Sequence, residues 1–116
     1  DINKTHPSYI ISDIWKYSHL VAAAPSYNMG LYYPMESLLH EMISLGVKNR
    51  KVSIIGNHSW ASTAQKIMTE KFNSMKNMEI IGNSLDINSR LKDDEESKLD
   101  ELADTIAASV LGKTEE

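Results

Sequence analysis

Two aromatic-rich segments carry the residues best suited to hold a flat ligand. The first, residues 25–34, contains Tyr27 and Gly30, and the second, residues 57–62, contains Trp60. Stacking on an aromatic ring contributes about 0.5–1.5 kcal/mol beyond simple burial, and glycine lets a backbone approach a ligand closely. These residue types predict a slot for a planar, partly apolar molecule. The alternative is that the rings only pack the two segments onto the rest of the fold.

Several other kinds of chemistry are disfavoured by what the chain lacks. It has no cysteine, which removes disulfides, thiolate nucleophiles and cysteine metal sites. The histidines at positions 6, 19, 40 and 58 lack the spacing of metal ligands, so no metal site is expected. His58 and Ser59 are adjacent, but the Gly-x-Ser-x-Gly motif of hydrolases is absent. Pro25 and Ser26 stand where a phosphoacceptor receiver domain needs an aspartate. From these patterns we assign no catalytic residue.

The pattern of apolar residues predicts the elements that position the two segments. Strands alternate with amphipathic helices, which indicates a parallel sheet with helices on both faces. Each aromatic segment directly follows a strand, so we expect both at the carboxyl edge of the sheet, where such folds bind ligands. Ser59 or Ser62 is the expected N-cap of the third helix. The predicted strands are 20–24, 51–56 and 78–82, and the predicted helices start near residues 7, 35, 64 and 93.

Length and charge limit the classes of protein further. The 116 residues suit one domain, and we expect a single domain over residues 1–116. The chain starts with Asp1 and not with methionine, which we interpret as a fragment of a longer protein. The 12 basic and 16 acidic residues give a net charge of −4, which argues against nucleic acid as a partner. No apolar run is long enough to span a membrane, and we expect a cytoplasmic protein.

The two segments resemble those of a known family. Residues 24–35, Ala-Pro-Ser-Tyr-Asn-Met-Gly-Leu-Tyr-Tyr-Pro-Met, resemble the Pro-Thr-Tyr-Asn-x-Gly-x-x-Pro-Pro segment in the flavodoxin-like domain of flavodiiron proteins, the A-type flavoproteins. Residues 56–62 are similar to that family's Gly-Ser-Tyr-Gly-Trp-Ser-Gly segment and keep Gly56 and Trp60. Residues 1–5 look like the end of the family's second strand. The resemblance implies a flavodoxin-like α/β fold, with three α/β/α layers around a parallel sheet.

The resemblance also implies a cofactor and its contacts. In that family the two segments hold the isoalloxazine ring of FMN. Tyr27 and Trp60 would then contact the ring, and His58 its pyrimidine edge. Ser26, Asn28 and Gly30 would offer hydrogen bonds, and Asn57 would line the opposite side. The full cofactor-binding set implied by the resemblance is Pro25, Ser26, Tyr27, Asn28, Gly30, Asn57, His58, Ser59 and Trp60.

One part of the family pattern has no counterpart in this sequence. Flavodoxin-like domains begin with a strand and a Ser/Thr-rich loop that cradles the FMN phosphate, and here nothing precedes Asp1 to supply them. We therefore expect the first strand and phosphate loop to be absent and FMN binding to be weak or absent. A missing central strand would expose an edge of the strand at 20–24, which predicts a homo-oligomer formed through that edge or pairing with a missing segment.

The implied function is electron transfer through FMN, an oxidoreductase-type step completed by another domain or partner. A cofactor-free interaction or structural module is the alternative. Residues 92–116 carry nine acidic residues and three lysines, which predicts the solvated face of a terminal helix or a docking face for a basic partner. The expected partner is a redox protein or a di-iron domain, and neither nucleic acid nor a membrane is expected.

Overall fold

The computed structural model describes residues 1–27, 30–58, 63–88 and 92–112, with Tyr27 described through its backbone. Four helices and five strands form in these ranges. The order is α1 (Pro7–Lys16), β1 (His19–Tyr27), β2 (Gly30–Leu31), α2 (Tyr33–Ser44), β3 (Arg50–His58), α3 (Ala64–Asn73), β4 (Met78–Ile80), β5 (Leu85–Asn88) and α4 (Asp93–Val110).

Strand β3 lies at the centre of the sheet. It pairs in parallel with β1 on one side, and on the other side with β4 through its first residues and with β5 through its last. β4 and β5 therefore follow each other along the same side of β3, separated by residues 81–84. β2 adds antiparallel to the end of β1, so the sheet is mixed at that corner, whereas the sequence predicted parallel strands alone.

The helices cover both faces of the sheet, as predicted. α1, α2 and α3 share one core with the strands, in which Leu39 and Phe72 are fully buried beside Val52 and Ile54. α4 lies on the opposite face. Its Leu102 is buried, and its Ser109 hydroxyl lies 2.8 Å from Nε2 of His19 at the start of β1. The result is a three-layer sandwich with one helix on its second face among the described residues.

Several strand boundaries differ from the prediction, and one strand was not predicted. β1 continues through Pro25 to Tyr27, β3 continues to His58, and β5 forms in a segment that the sequence marked as irregular. Lys51 N donates to Ser18 O, so the even-numbered residues of β1 bond to β3 and the nitrogen of Pro25 faces away from it. Proline is tolerated there because no ladder hydrogen bond is lost.

Candidate ligand-binding site

The ends of three strands bring residues 25–27 and 57–58, the described starts of the two segments, to one edge of the sheet. Pro25 on β1 is in register with Asn57 on β3, and His58 on β3 is in register with Asn88 on β5. Pro25 is exposed, and Asn57 and His58 are half-buried. We call this edge, formed by the carboxyl ends of β1, β3 and β5, the rim. The described starts of both segments thus lie at the same edge, as predicted, and residues 28–29 and 59–62 lie outside the described residues.

A hydroxyl from the first segment holds the helix that follows the second. Ser26 Oγ accepts hydrogen bonds from the backbone N–H groups of Ala64, at 2.9 Å, and Thr63, at 3.3 Å. Thr63 Oγ1 in turn donates to the carbonyl oxygen of Gly30, at 3.3 Å. We call these three hydrogen bonds the clamp. The predicted N-cap at Ser59 or Ser62 is wrong, because Thr63 occupies the N-cap position and Ser26 supplies the capping oxygen from a distant part of the chain.

A close approach of backbone fixes α3 below the rim. A Cβ added at Gly56 would lie 2.9 Å from both the backbone nitrogen and the Cβ of Gln65. Only glycine at position 56 leaves room for the first turn of α3 to pack this closely against β3. The start of α3, and with it the clamp on the first segment, is therefore set by Gly56 as well as by Ser26.

A histidine–carboxylate pair lies beside the clamp. Nδ1 of His58 is 2.9 Å from Oδ1 of Asp86 on β5, and both side chains are partly buried. The carboxylate accepts the Nδ1 proton, which orients the ring and leaves Nε2 as its second hydrogen-bonding atom. Sequence reasoning missed Asp86. The alternation of apolar and polar residues over 85–88 is the period-two pattern of a half-buried strand and could have placed it next to β3.

The remaining predicted contacts lie outside the described residues. Asn28, Ser59 and Trp60 belong to the ranges that the structure does not describe, and the side chain of Tyr27 is not described either. Contact of Tyr27 and Trp60 with a ring therefore stays a prediction. The described members of the predicted set, Pro25, Ser26, Gly30, Asn57 and His58, all lie at the rim.

Helix N-termini can anchor a phosphate because their free N–H groups bind anions. At α1, Nδ1 of His6 accepts from the Ser8 N–H, and at α3 the Ser26 hydroxyl accepts two N–H groups. The first turn of α2 contains Glu36, and that of α4 contains the four acidic residues 93–96. Filled caps and negative charge both oppose an incoming anion. Among the described residues, no helix start offers a phosphate anchor.

Metal-binding and membrane-spanning features are absent from the described ranges. No three His, Asp or Glu side chains there are grouped so that they could hold a metal ion. None of the helices there has the length and apolar character that crossing a bilayer requires.

Comparison with known proteins identifies the fold. No family model and no curated protein matches the sequence. Among solved structures, the rubredoxin oxygen:oxidoreductase of Desulfovibrio gigas matches 97% of this chain with a TM-score of 0.88 at 20% identity. The Flv1 flavodiiron core of Synechocystis sp. PCC6803 matches 98% with a TM-score of 0.86 at 13% identity. This chain covers 28% of each of those two chains.

Two flavodoxins share the same fold. One, from the domain Archaea, matches 94% of this chain with a TM-score of 0.79 at 16% identity. Flavodoxin 1 of Bacillus cereus matches 91% with a TM-score of 0.72, also at 16% identity. This chain covers 73% of each flavodoxin. The chain therefore has a flavodoxin-like α/β fold, which confirms the predicted fold class.

Proposed function

We propose that this domain binds the isoalloxazine ring of FMN at the rim and acts as an electron-transfer domain. The observation that carries the proposal is the pairing of Pro25 with Asn57 at the carboxyl edge of a flavodoxin-like sheet, where Ser26 and Thr63 hold the start of α3. FMN, when bound, supplies the redox chemistry, and the protein supplies position and electrostatics.

Three described residues of the rim have a role toward the ring in this proposal. Pro25 and Asn57, in register on adjacent strands, form the floor below the ring. His58, held by Asp86, offers Nε2 to the polar edge of the ring. Tyr27 and Trp60 are the proposed stacking residues on the basis of the sequence.

Affinity for FMN is proposed to be weak in this chain. The helix starts among the described residues are capped or acidic, so the phosphate contributes little to binding. The proposed partner is a redox protein or a di-iron domain. The acidic start of α4 is the proposed docking face, because opposite charge steers association between redox proteins.

A cofactor-free interaction module is the second candidate. It is favoured because polar groups that were expected to bind a ligand form hydrogen bonds within the protein instead. The Ser26 oxygen and the Gly30 carbonyl, both expected to face a ligand, already accept hydrogen bonds from residues 63 and 64. In this case the clamp only closes the fold at its rim.

Flavin fluorescence distinguishes the two candidates. FMN is titrated with the 116-residue chain and with the variants Trp60→Ala and Trp15→Ala. Trp15 is the matched control because it stacks on Arg50 at the start of β3, at the other end of the sheet. Flavin binding at the rim predicts that the wild-type chain quenches FMN fluorescence. Trp60→Ala is expected to raise the Kd for FMN about two- to tenfold, and Trp15→Ala is expected to leave it unchanged. Absence of quenching by the folded wild-type chain at millimolar protein would reject flavin binding and support the module.

A further inference from the structure

The His58–Asp86 pair lies on the face of the sheet that carries α3. Alternate residues of a strand point to the same face, so His58 shares its face with Gly56, whose Cβ position lies 2.9 Å from Gln65 on α3. Asp86 on β5 is in register with Gly56 and points to that face as well. The imidazole of His58 therefore lies on the α3 side of the rim, at the end of the central strand.

The carboxylate of Asp86 fixes where the neutral imidazole carries its proton. An ionised carboxylate only accepts, so the contact of 2.9 Å places the proton on Nδ1 of His58 and a lone pair on Nε2. The two side chains are only 16% and 29% exposed, which limits competition from water. His19 is different, because its ring nitrogens bond to the hydroxyl groups of Ser18 and Ser109, which fit either tautomer.

We infer that Asp86 is a positioning residue that makes His58 a hydrogen-bond acceptor at the rim, so that the site selects a ligand presenting an N–H group there. This inference rests on the proposed function, flavin binding at the rim. The pyrimidine edge of the isoalloxazine ring has one such group, the imide N–H between two carbonyl groups. Nε2 of His58 accepts from that N–H and is opposed by the carbonyl oxygens, whose lone pairs would face its own.

A purely structural link between β3 and β5 is the competing explanation of the pair. β5 has four residues and, among the described strands, pairs with β3. A pair that only holds β5 in place would make Asp86→Asn less stable without changing which ligand the rim prefers. Stability therefore does not separate the two explanations, whereas the proton position and the choice between two flavins do.

The position of the ring proton is measured first, on the 116-residue chain without ligand. Proton–nitrogen correlation spectra at about pH 8, where an ordinary imidazole is neutral, distinguish the two tautomers. We expect the proton on Nδ1 of His58 in the wild type. Asp86→Asn offers an amide that can also donate, and we expect it to move the proton to Nε2. Glu79→Gln is the matched control, because it removes a carboxylate that pairs with Lys51.

Ligand selection is measured with two flavins that lack the phosphate, lumiflavin and lumiflavin methylated at the imide nitrogen. Fluorescence titrations are expected to show that the wild type and Glu79→Gln bind lumiflavin about three- to tenfold more tightly than the methylated compound. In Asp86→Asn the Kd values are expected to agree within about twofold, because Nε2–H then donates to a carbonyl that both flavins have. A clash of the methyl group with the rim would instead keep the difference in Asp86→Asn.

Three results would overturn the inference while flavin binding stands. They are a proton on Nε2 in the ligand-free wild type, equal Kd values of the wild type for the two lumiflavins, and an unchanged ratio of Kd values in Asp86→Asn. The first two results do not depend on the folding of any variant. If lumiflavin binds to none of the chains, the proposed function is rejected and ligand selection with it, and the ligand-free spectrum separately shows whether Asp86 fixes the tautomer.

Discussion

At the scale of single residues, Ser26 connects parts of the chain that the sequence keeps far apart. Its hydroxyl oxygen accepts from the N–H groups of Thr63 and Ala64, which would otherwise be open at the start of α3. The side chain was predicted to serve a ligand. In the structure its oxygen caps α3, and its hydroxyl proton is left to donate.

Replacing Ser26 by alanine is expected to destabilise the domain by about 1 kcal/mol, because two N–H groups at a helix start lose their acceptor. The measurement is the free energy of unfolding in urea. Ser26→Thr keeps the hydroxyl and is expected to retain most of the stability. Ser97→Ala, at an exposed position of α4, is the matched control. A Ser26→Ala variant as stable as Ser97→Ala would show that the clamp contributes nothing.

At the scale of elements, the sequence predicted the helices and the buried strands because their apolar periodicity is local information. It missed the clamp because hydrogen bonds between residues far apart leave no local pattern. The predicted strand ended at Ala24, before Pro25, because the cost of proline depends on which side of the strand its nitrogen faces, and only the pairing with β3 reveals that. β5 was missed because four residues carry a weak signal until β3 lies beside them.

Arg50 links the end of α1 to the start of β3. Its guanidinium donates to the carbonyls of Ile14 and Trp15 at the end of α1 and to those of Lys48 and Asn49 before β3. It also lies 5.4 Å from the centre of the Trp15 ring. A lysine ammonium lacks the planar fork that reaches these oxygens together.

Arg50→Lys is therefore expected to lower the free energy of unfolding by about 1–2 kcal/mol. Lys51→Ala at the neighbouring position is the control. It removes an exposed ion pair with Glu79, at 3.5 Å, which is worth no more than about 0.5–1 kcal/mol. Equal losses for the two variants would contradict the assignment of Arg50 as the link between α1 and β3.

At the scale of the whole molecule, an FMN site has two requirements, contacts for the ring and an anchor for the phosphate. The described residues of the rim are the proposed contacts of the ring, whereas the four described helix starts are capped or acidic. The ring and the phosphate of FMN would therefore depend on different parts of the protein. Comparing flavins with and without the phosphate separates the two contributions.

Riboflavin and FMN are expected to bind this chain with Kd values within about threefold of each other, a difference below about 0.7 kcal/mol. The acidic first turns of α2 and α4 repel the phosphate, so added salt should strengthen FMN binding relative to riboflavin. Fluorescence titrations of both flavins at low and high salt measure these quantities. FMN binding more than tenfold tighter than riboflavin, and weakened by salt, would reveal an anion site and refute the account of the helix starts.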